Sequence, residues 1–186
     1  MLPPPPNARR QWVRPLIEEG IEPHPGPRYI SRNANGLASK GRFEDAIRQM
    51  ELEHRRSPVG AFFIQEHNLN RSLAERCSKI ARKYRILWLA RYKPAADHAG
   101  KGHGTGVAIP FDSIELKAGE SLDRAIARVQ RSLTGNQAGS ITVVSTIIAG
   151  TKRNLICAYA PAQGASRPAF FRNGLGPYLT RNTEST

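Results

Sequence analysis

Ala61-Phe62-Phe63-Ile64-Gln65-Glu66-His67 is the stretch that most restricts the fold. A short unbroken apolar run of this kind reads as a strand buried on both faces. It runs directly into Gln-Glu-His. An ionised carboxylate is almost never buried without a partner, so Glu66 belongs at the carboxyl end of that strand, where the chain leaves the core. In sheets packed on helices, ligands gather at strand ends. A carboxylate held there can bind a cation or a proton. Taken alone, Glu66 reads more simply as a loop carboxylate paired with one of the many arginines.

The neighbouring segments add to this. Tyr29 to Leu37 is a second short strand candidate that runs into Asn35-Gly36, a turn signal. One helix-length segment separates it from Phe62, the arrangement that makes adjacent parallel strands through a crossover. Asn35 and Glu66 then emerge side by side. Mg²⁺ takes oxygen ligands, often one or two carboxylates with waters and substrate phosphate, so this pair is a candidate metal site.

Four motifs stand in order along the chain: Asn33-Ala-Asn-Gly-Leu37, Ile64-Gln-Glu-His67, Gly104-Thr-Gly-Val-Ala-Ile-Pro110 and Ile156-Cys-Ala-Tyr-Ala-Pro161. Together, over residues 28–180, they resemble the endonuclease/exonuclease/phosphatase family, and most of all the endonuclease module of non-LTR retrotransposons. The resemblance implies an α/β, deoxyribonuclease-I-like fold, a two-sheet sandwich with outer helices, here mainly the first sheet and its helices. It implies phosphoester cleavage with Mg²⁺ or Mn²⁺. Glu66 matches the metal-binding glutamate, Asn35 the asparagine beside it, and Tyr159 a tyrosine that contacts phosphate.

The balance of 28 Lys+Arg against 15 Asp+Glu, a formal charge of +13, favours a polyanionic partner. Nucleic acid, DNA in particular, is the expected one. The basic residues are spread along the chain, which fits a charged face on a folded domain rather than a basic arm. Cys77 and Cys157 both fall in apolar-periodic segments and read as buried free thiols, which fits a reducing, intracellular compartment, nuclear or cytoplasmic. No apolar run reaches membrane-spanning length, and the proline-rich start lacks a signal-peptide core. A basic protein bound to a membrane surface ranks last, for want of an apolar anchor helix. No defined protein partner is indicated.

Residues 1–27 hold more than half of the 14 prolines and read as a disordered or extended lead. Within it, Gly20-Ile-Glu-Pro-His-Pro-Gly-Pro27 resembles ribosome-skipping peptides, with Gly20 and His24 replacing an Asp and an Asn of that pattern. Lys40 to His54 has helical spacing with Ser39 as a cap. Ser72 to Tyr84 is a second amphipathic helix, with Arg76, Lys79 and Lys83 on a shared face. Such a face normally just solvates a helix; tracking nucleic-acid phosphates is the second reading. Arg85 to Ala90 is a strand, Arg91 to Lys101 a loop, and Val107 to Ile109 a strand. His98 and His103 read as loop residues. Leu122, Ile126, Val129 and Leu133 fit a helix, but the resemblance expects a strand near Ala125 to Val129, and strand is the reading preferred. Ile141 to Ile148 and Asn154 to Tyr159 form a hairpin. Arg167 to Leu179 is a helix candidate weakened by Gly174, Gly176 and Pro177. Residues 181–186 read as a polar tail.

Beyond Tyr159 the resemblance implies Gly-Asp-x-Asn, a further acidic residue and Ser-Asp-His, which activate water and grip phosphate. None is here: no Asp follows Asp123, no His follows His103, and Glu184 is the last acid. Two readings follow. One is a truncated endonuclease domain of retroelement origin, inactive as this chain; the other is a non-catalytic, basic nucleic-acid-binding remnant.

Overall fold

A computed structural model describes residues 27–39, 41–92, 104–136, 139–148, 150–160 and 166–180. The expectations for the proline-rich lead, for His98 and His103, and for the tail therefore lie outside the described residues, apart from Pro27.

Strand β1 (Arg28–Asn33) leads through helix α1 (Arg42–Arg56) to β2 (Val59–Gln65). The two strands pair in parallel, with Asn33 opposite Gln65. Helix α2 (Ala74–Lys83) follows a single 3₁₀ turn and feeds β3 (Ile86–Arg91), which pairs antiparallel with β4 (Thr105–Pro110). The first sheet runs β1-β2-β4-β3. After helix α3 (Leu122–Arg131) comes the second sheet, short β5 (Thr134–Gly135) with the hairpin β6 (Ile141–Ile148) and β7 (Thr151–Ala158), in the order β5-β6-β7.

The apolar run becomes a strand covered on both faces, with Phe63 half-buried. Phe62 and Ile64 pack under the helices with Phe43, Ile47, Met50, Cys77, Ala81 and Trp88. Ala61 faces the other way, with Leu87, Leu89, Val107, Val144 and Leu155 between the sheets. The Thr105 and Thr142 hydroxyls meet at 2.8 Å across that inter-sheet layer. Both cysteines are buried and free. Burial pushes their thiols up, to about 11 for Cys77 and about 12 for Cys157, so they act as packing groups.

Two local expectations are corrected. Ala125 to Val129 is helix, not strand. Ser121 caps it by accepting the Arg124 N–H, and Ala125, Ile126 and Val129 sink into the inter-sheet core at helical spacing. The Arg128 guanidinium clamps Glu120 ahead of the helix and holds that carboxyl down at about 2. Helix α1 starts at Gly41, at φ 87°, with no side-chain cap; Ser39 offers only its carbonyl, to the Arg42 N–H. The Arg167 to Leu179 helix forms as α4 (Ser166–Ala169) and α5 (Gly176–Thr180) with a π-helical stretch, Phe170–Leu175, between them, where the glycines weaken the regular ladder.

Candidate functional site

The carboxyl ends of β1 and β2 continue side by side after the regular strands stop. Gln65, Glu66 and His67 carbonyls accept the backbone N–H groups of Ala34, Gly36 and Leu37 at 2.8, 2.8 and 2.7 Å. The two segments then turn sharply: Asn35, Glu66 and Asn68 take left-handed φ angles of 45°, 53° and 52°. Asparagine accepts that region easily and glutamate does not, so Glu66 is held there by its surroundings.

On this edge the Asn33 side-chain amide donates to Glu66 Oε1 at 2.9 Å, and its carbonyl oxygen accepts the Asn35 N–H at 2.9 Å. The amide is thereby fixed in orientation. The group against Glu66 is thus Asn33. Strand β1 ends at Asn33, and Asn35 stands beyond it in the turn, exposed. Tyr29, Ser31 and Asn33 alternate onto one face of β1, a parity that Asn35 shares, so it is the strand's end at Asn33 that selects Asn33.

Tyr159 arrives from the second sheet. The Cys157 thiol donates to the Ile64 carbonyl at 3.4 Å, tying β7 to β2, and the Tyr159 N–H donates to Ser140 O at 2.8 Å. The phenol faces the Glu66 carboxylate, and that interaction, ahead of burial, raises its pKa above the ordinary value. Asn33, Glu66 and Tyr159 therefore converge from three strands.

No family model matches the chain, and no curated protein does. Solved structures that match its fold include the two that follow. TDP2 from D. rerio, complexed with a single strand DNA product, aligns with a TM-score of 0.51 at 16% identity over 88% of this chain and 57% of that one. The AP endonuclease LMAP from Leishmania major aligns with a TM-score of 0.52 at 13% identity over 90% of this chain and 51% of that one. The fold is the deoxyribonuclease-I-like sandwich, in part. This chain spans little more than half the length of either structure.

Of the three cations Arg76, Lys79 and Lys83 on α2, two are paired with carboxylates. Lys79 pairs with Glu75 at 2.7 Å and Lys83 with Glu44 at 3.0 Å. Lys83 also closes α2 just before Ile86, which sits opposite Pro110 at the other end of the sheet from the Gln65–Thr105 pair. Arg76 is exposed on the rim of a shallow groove that Leu37, Phe43 and Leu69 floor. No helix is long and apolar enough to cross a membrane among the described residues.

A divalent cation fits this edge in one way only. Among the described residues no cluster of three or more His, Cys, Asp or Glu side chains could cage a metal. One carboxylate, oriented by an amide and a phenol, suits an ion such as Mg²⁺ that keeps most of its waters and takes phosphate oxygens as further ligands. Glu66 would hold it, with Asn33 and Tyr159 setting the carboxylate's orientation.

Proposed function

We propose that this chain carries the cation- and phosphate-holding half of a metal-dependent phosphodiesterase site, an endonuclease domain of retroelement origin, and that it binds nucleic acid without cutting it. The observation that carries the reading is the convergence of Asn33, Glu66 and Tyr159 on one strand-end edge. The order of the four motifs and the charge of +13 support it, as does the partial fold match to an AP endonuclease and to a TDP2 bound to single strand DNA.

Glu66 supplies the negative charge, Asn33 fixes its oxygens, and Tyr159 offers a phenol that can turn to a phosphate oxygen once an ion draws on the carboxylate. When bound, the ion neutralises phosphate and stabilises charge on a leaving oxygen. Proton transfer from water needs another group, and among the described residues Glu66 belongs to no cluster of three or more His, Cys, Asp or Glu side chains. Holding without turnover is what this set of side chains can do.

The test is a Mn²⁺ titration of the whole chain followed by NMR. Asn33 and Tyr159 signals should broaden first, in wild type and not in Glu66→Ala, and DNA should sharpen the response. Broadening that ignores Glu66, or none at the strand-end edge, overturns the reading.

A further inference from the structure

We propose that His67 is the positioning residue of the Glu66 carboxylate: seated on Gly104 and hydrogen-bonded through both ring nitrogens, it holds the turn that aims Glu66 at Asn33 and Tyr159. This rests on the reading of Glu66 as the working carboxylate.

Glu66 occupies a backbone conformation it does not favour. Something rigid must hold it, and His67 is the next residue. Its side chain is fully buried. A buried imidazole needs partners on both nitrogens, and it has them. The Leu69 N–H donates to Nδ1 at 3.0 Å, and Nε2 lies 3.2 Å from the Arg91 carbonyl. A carbonyl only accepts, so Nε2 carries the proton and Nδ1 is the acceptor: one neutral tautomer. The ring meets Trp88 and Tyr92 edge-on, with centroids 5.8 and 5.5 Å away.

The backbone of His67 is held as well. Its N–H donates to Gly104 O at 3.3 Å, and its carbonyl accepts the Leu37 N–H at 2.7 Å. One residue thus ties the end of β2 to the end of β3, the start of β4 and the segment after β1. The seat admits only glycine. A Cβ on Gly104 would stand 2.3 Å from His67 Cε1, and Gly104 itself has φ +93°. With its ring and both backbone groups anchored, His67 cannot rotate, and Glu66 cannot relax to an ordinary conformation without moving it.

The experiment reads the Asn33 side-chain amide by NMR in the cation-free whole chain, so it needs no metal. His67→Phe keeps a ring between Trp88 and Tyr92 and removes both nitrogen contacts. The Asn33 amide signals should shift toward their positions in Glu66→Ala, and Mn²⁺ affinity should fall about tenfold, the lower end for residues that support a ligand. Val129→Ala, which loosens α3 in the inter-sheet core, should leave the Asn33 signals in place. Unmoved Asn33 signals in His67→Phe, or an equal shift in Val129→Ala, would reduce His67 to packing and overturn the proposal. Should His67→Phe not fold, ring ¹⁵N shifts of wild type decide: the Nε2–H tautomer in slow exchange supports the clasp, and Nδ1–H or a freely exchanging ring overturns it. A His67 effect on Asn33 with no Mn²⁺ response at all sinks the cation reading and leaves the positioning role standing.

Discussion

Asn33 reaches across from the parallel neighbour strand to donate to Glu66 Oε1 at 2.9 Å, and the same amide's carbonyl caps the Asn35 N–H at 2.9 Å. The two asparagines of Asn-Ala-Asn-Gly therefore do different work. Asn33→Ala removes a donor from an ionised carboxylate and should weaken Mn²⁺ binding about tenfold, since hydrogen bonds to charged groups contribute about 1.5–3 kcal/mol and this one is partly screened by water. Asn35→Gly keeps the left-handed turn and should leave affinity within about twofold and stability within about 0.5 kcal/mol. Isothermal titration and thermal melts of the two variants check this. Equal losses would return Asn35 to the site.

His67 makes stability depend on pH. Burial pushes its pKa from 6.5 down to about 4. Between those values the unfolded chain binds the proton and the folded chain does not, so folding stability falls as pH falls. The contribution is complete above about pH 6.5 and shrinks toward pH 4, a change of about 3 kcal/mol. Urea melts between pH 7.5 and 4.5 should show this slope in wild type and a flatter one in His67→Phe. Identical slopes would mean that His67 is accessible to protons in the folded state.

The clasp also shows where sequence reading stopped. The β2 strand was legible because four consecutive apolar residues admit few structures, and the β6–β7 hairpin because a β-branched run leads into a glycine turn. Glu66 followed, as the first charge past a buried strand. His67 did not, because its meaning depends on Gly104 and Arg91, which only the folded sheet brings to it. Lys83 on α2 has a partner of the same non-local kind: Glu44, 39 residues upstream. At α3 the local signal is sound: the apolar spacing fits a helix, and the strand that the resemblance implies runs against it. Asn33 against Asn35 turns on where β1 stops, which no periodicity states to within two residues.

Thr105 and Thr142 carry the polar link between the sheets. Thr142 Oγ1 donates to the Thr105 carbonyl at 2.7 Å, and Thr105 Oγ1 donates to Gly139 O at 3.1 Å. Thr142→Val leaves the Thr105 carbonyl one donor short in a buried layer and should cost about 1–3 kcal/mol. Adding Thr105→Val should cost less than the sum of the two single changes, because the groups share one network. Denaturant melts of the cycle measure the coupling; strict additivity would show that the two hydroxyls act independently.

Binding to nucleic acid should weaken steeply with salt, with little dependence on base sequence. Each phosphate contact contributes about 0.9 to the slope of log K against log salt on duplex DNA, and about 0.7 on single strands. Lys79→Ala and Lys83→Ala should leave the slope unchanged, because those ammonium groups are engaged with Glu75 and Glu44. Fluorescence anisotropy across a salt series provides the measurement. A drop of a full contact for either variant would place α2 in the interface after all.

The last prediction concerns turnover. Glu66, Asn33 and Tyr159 can hold an ion and a phosphate, but hydrolysis also requires a base for the attacking water and a donor for the charge that develops opposite the ion. General acid–base assistance is worth about 10²–10⁴-fold, and a single charge-stabilising donor about 10²–10³-fold. Without both, at most traces of cleavage remain. The 186-residue chain contains no Asp after Asp123 and no His after His103 to fill those roles, and His67, the imidazole adjacent to Glu66 in sequence, has both nitrogens committed to the backbone. Supercoiled plasmid incubated with Mg²⁺ and the purified chain should stay intact, indistinguishable from Glu66→Ala. Nicking that disappears with Glu66→Ala would show that a substitute base exists, and Asp97, His98 and His103 would be the first residues to replace.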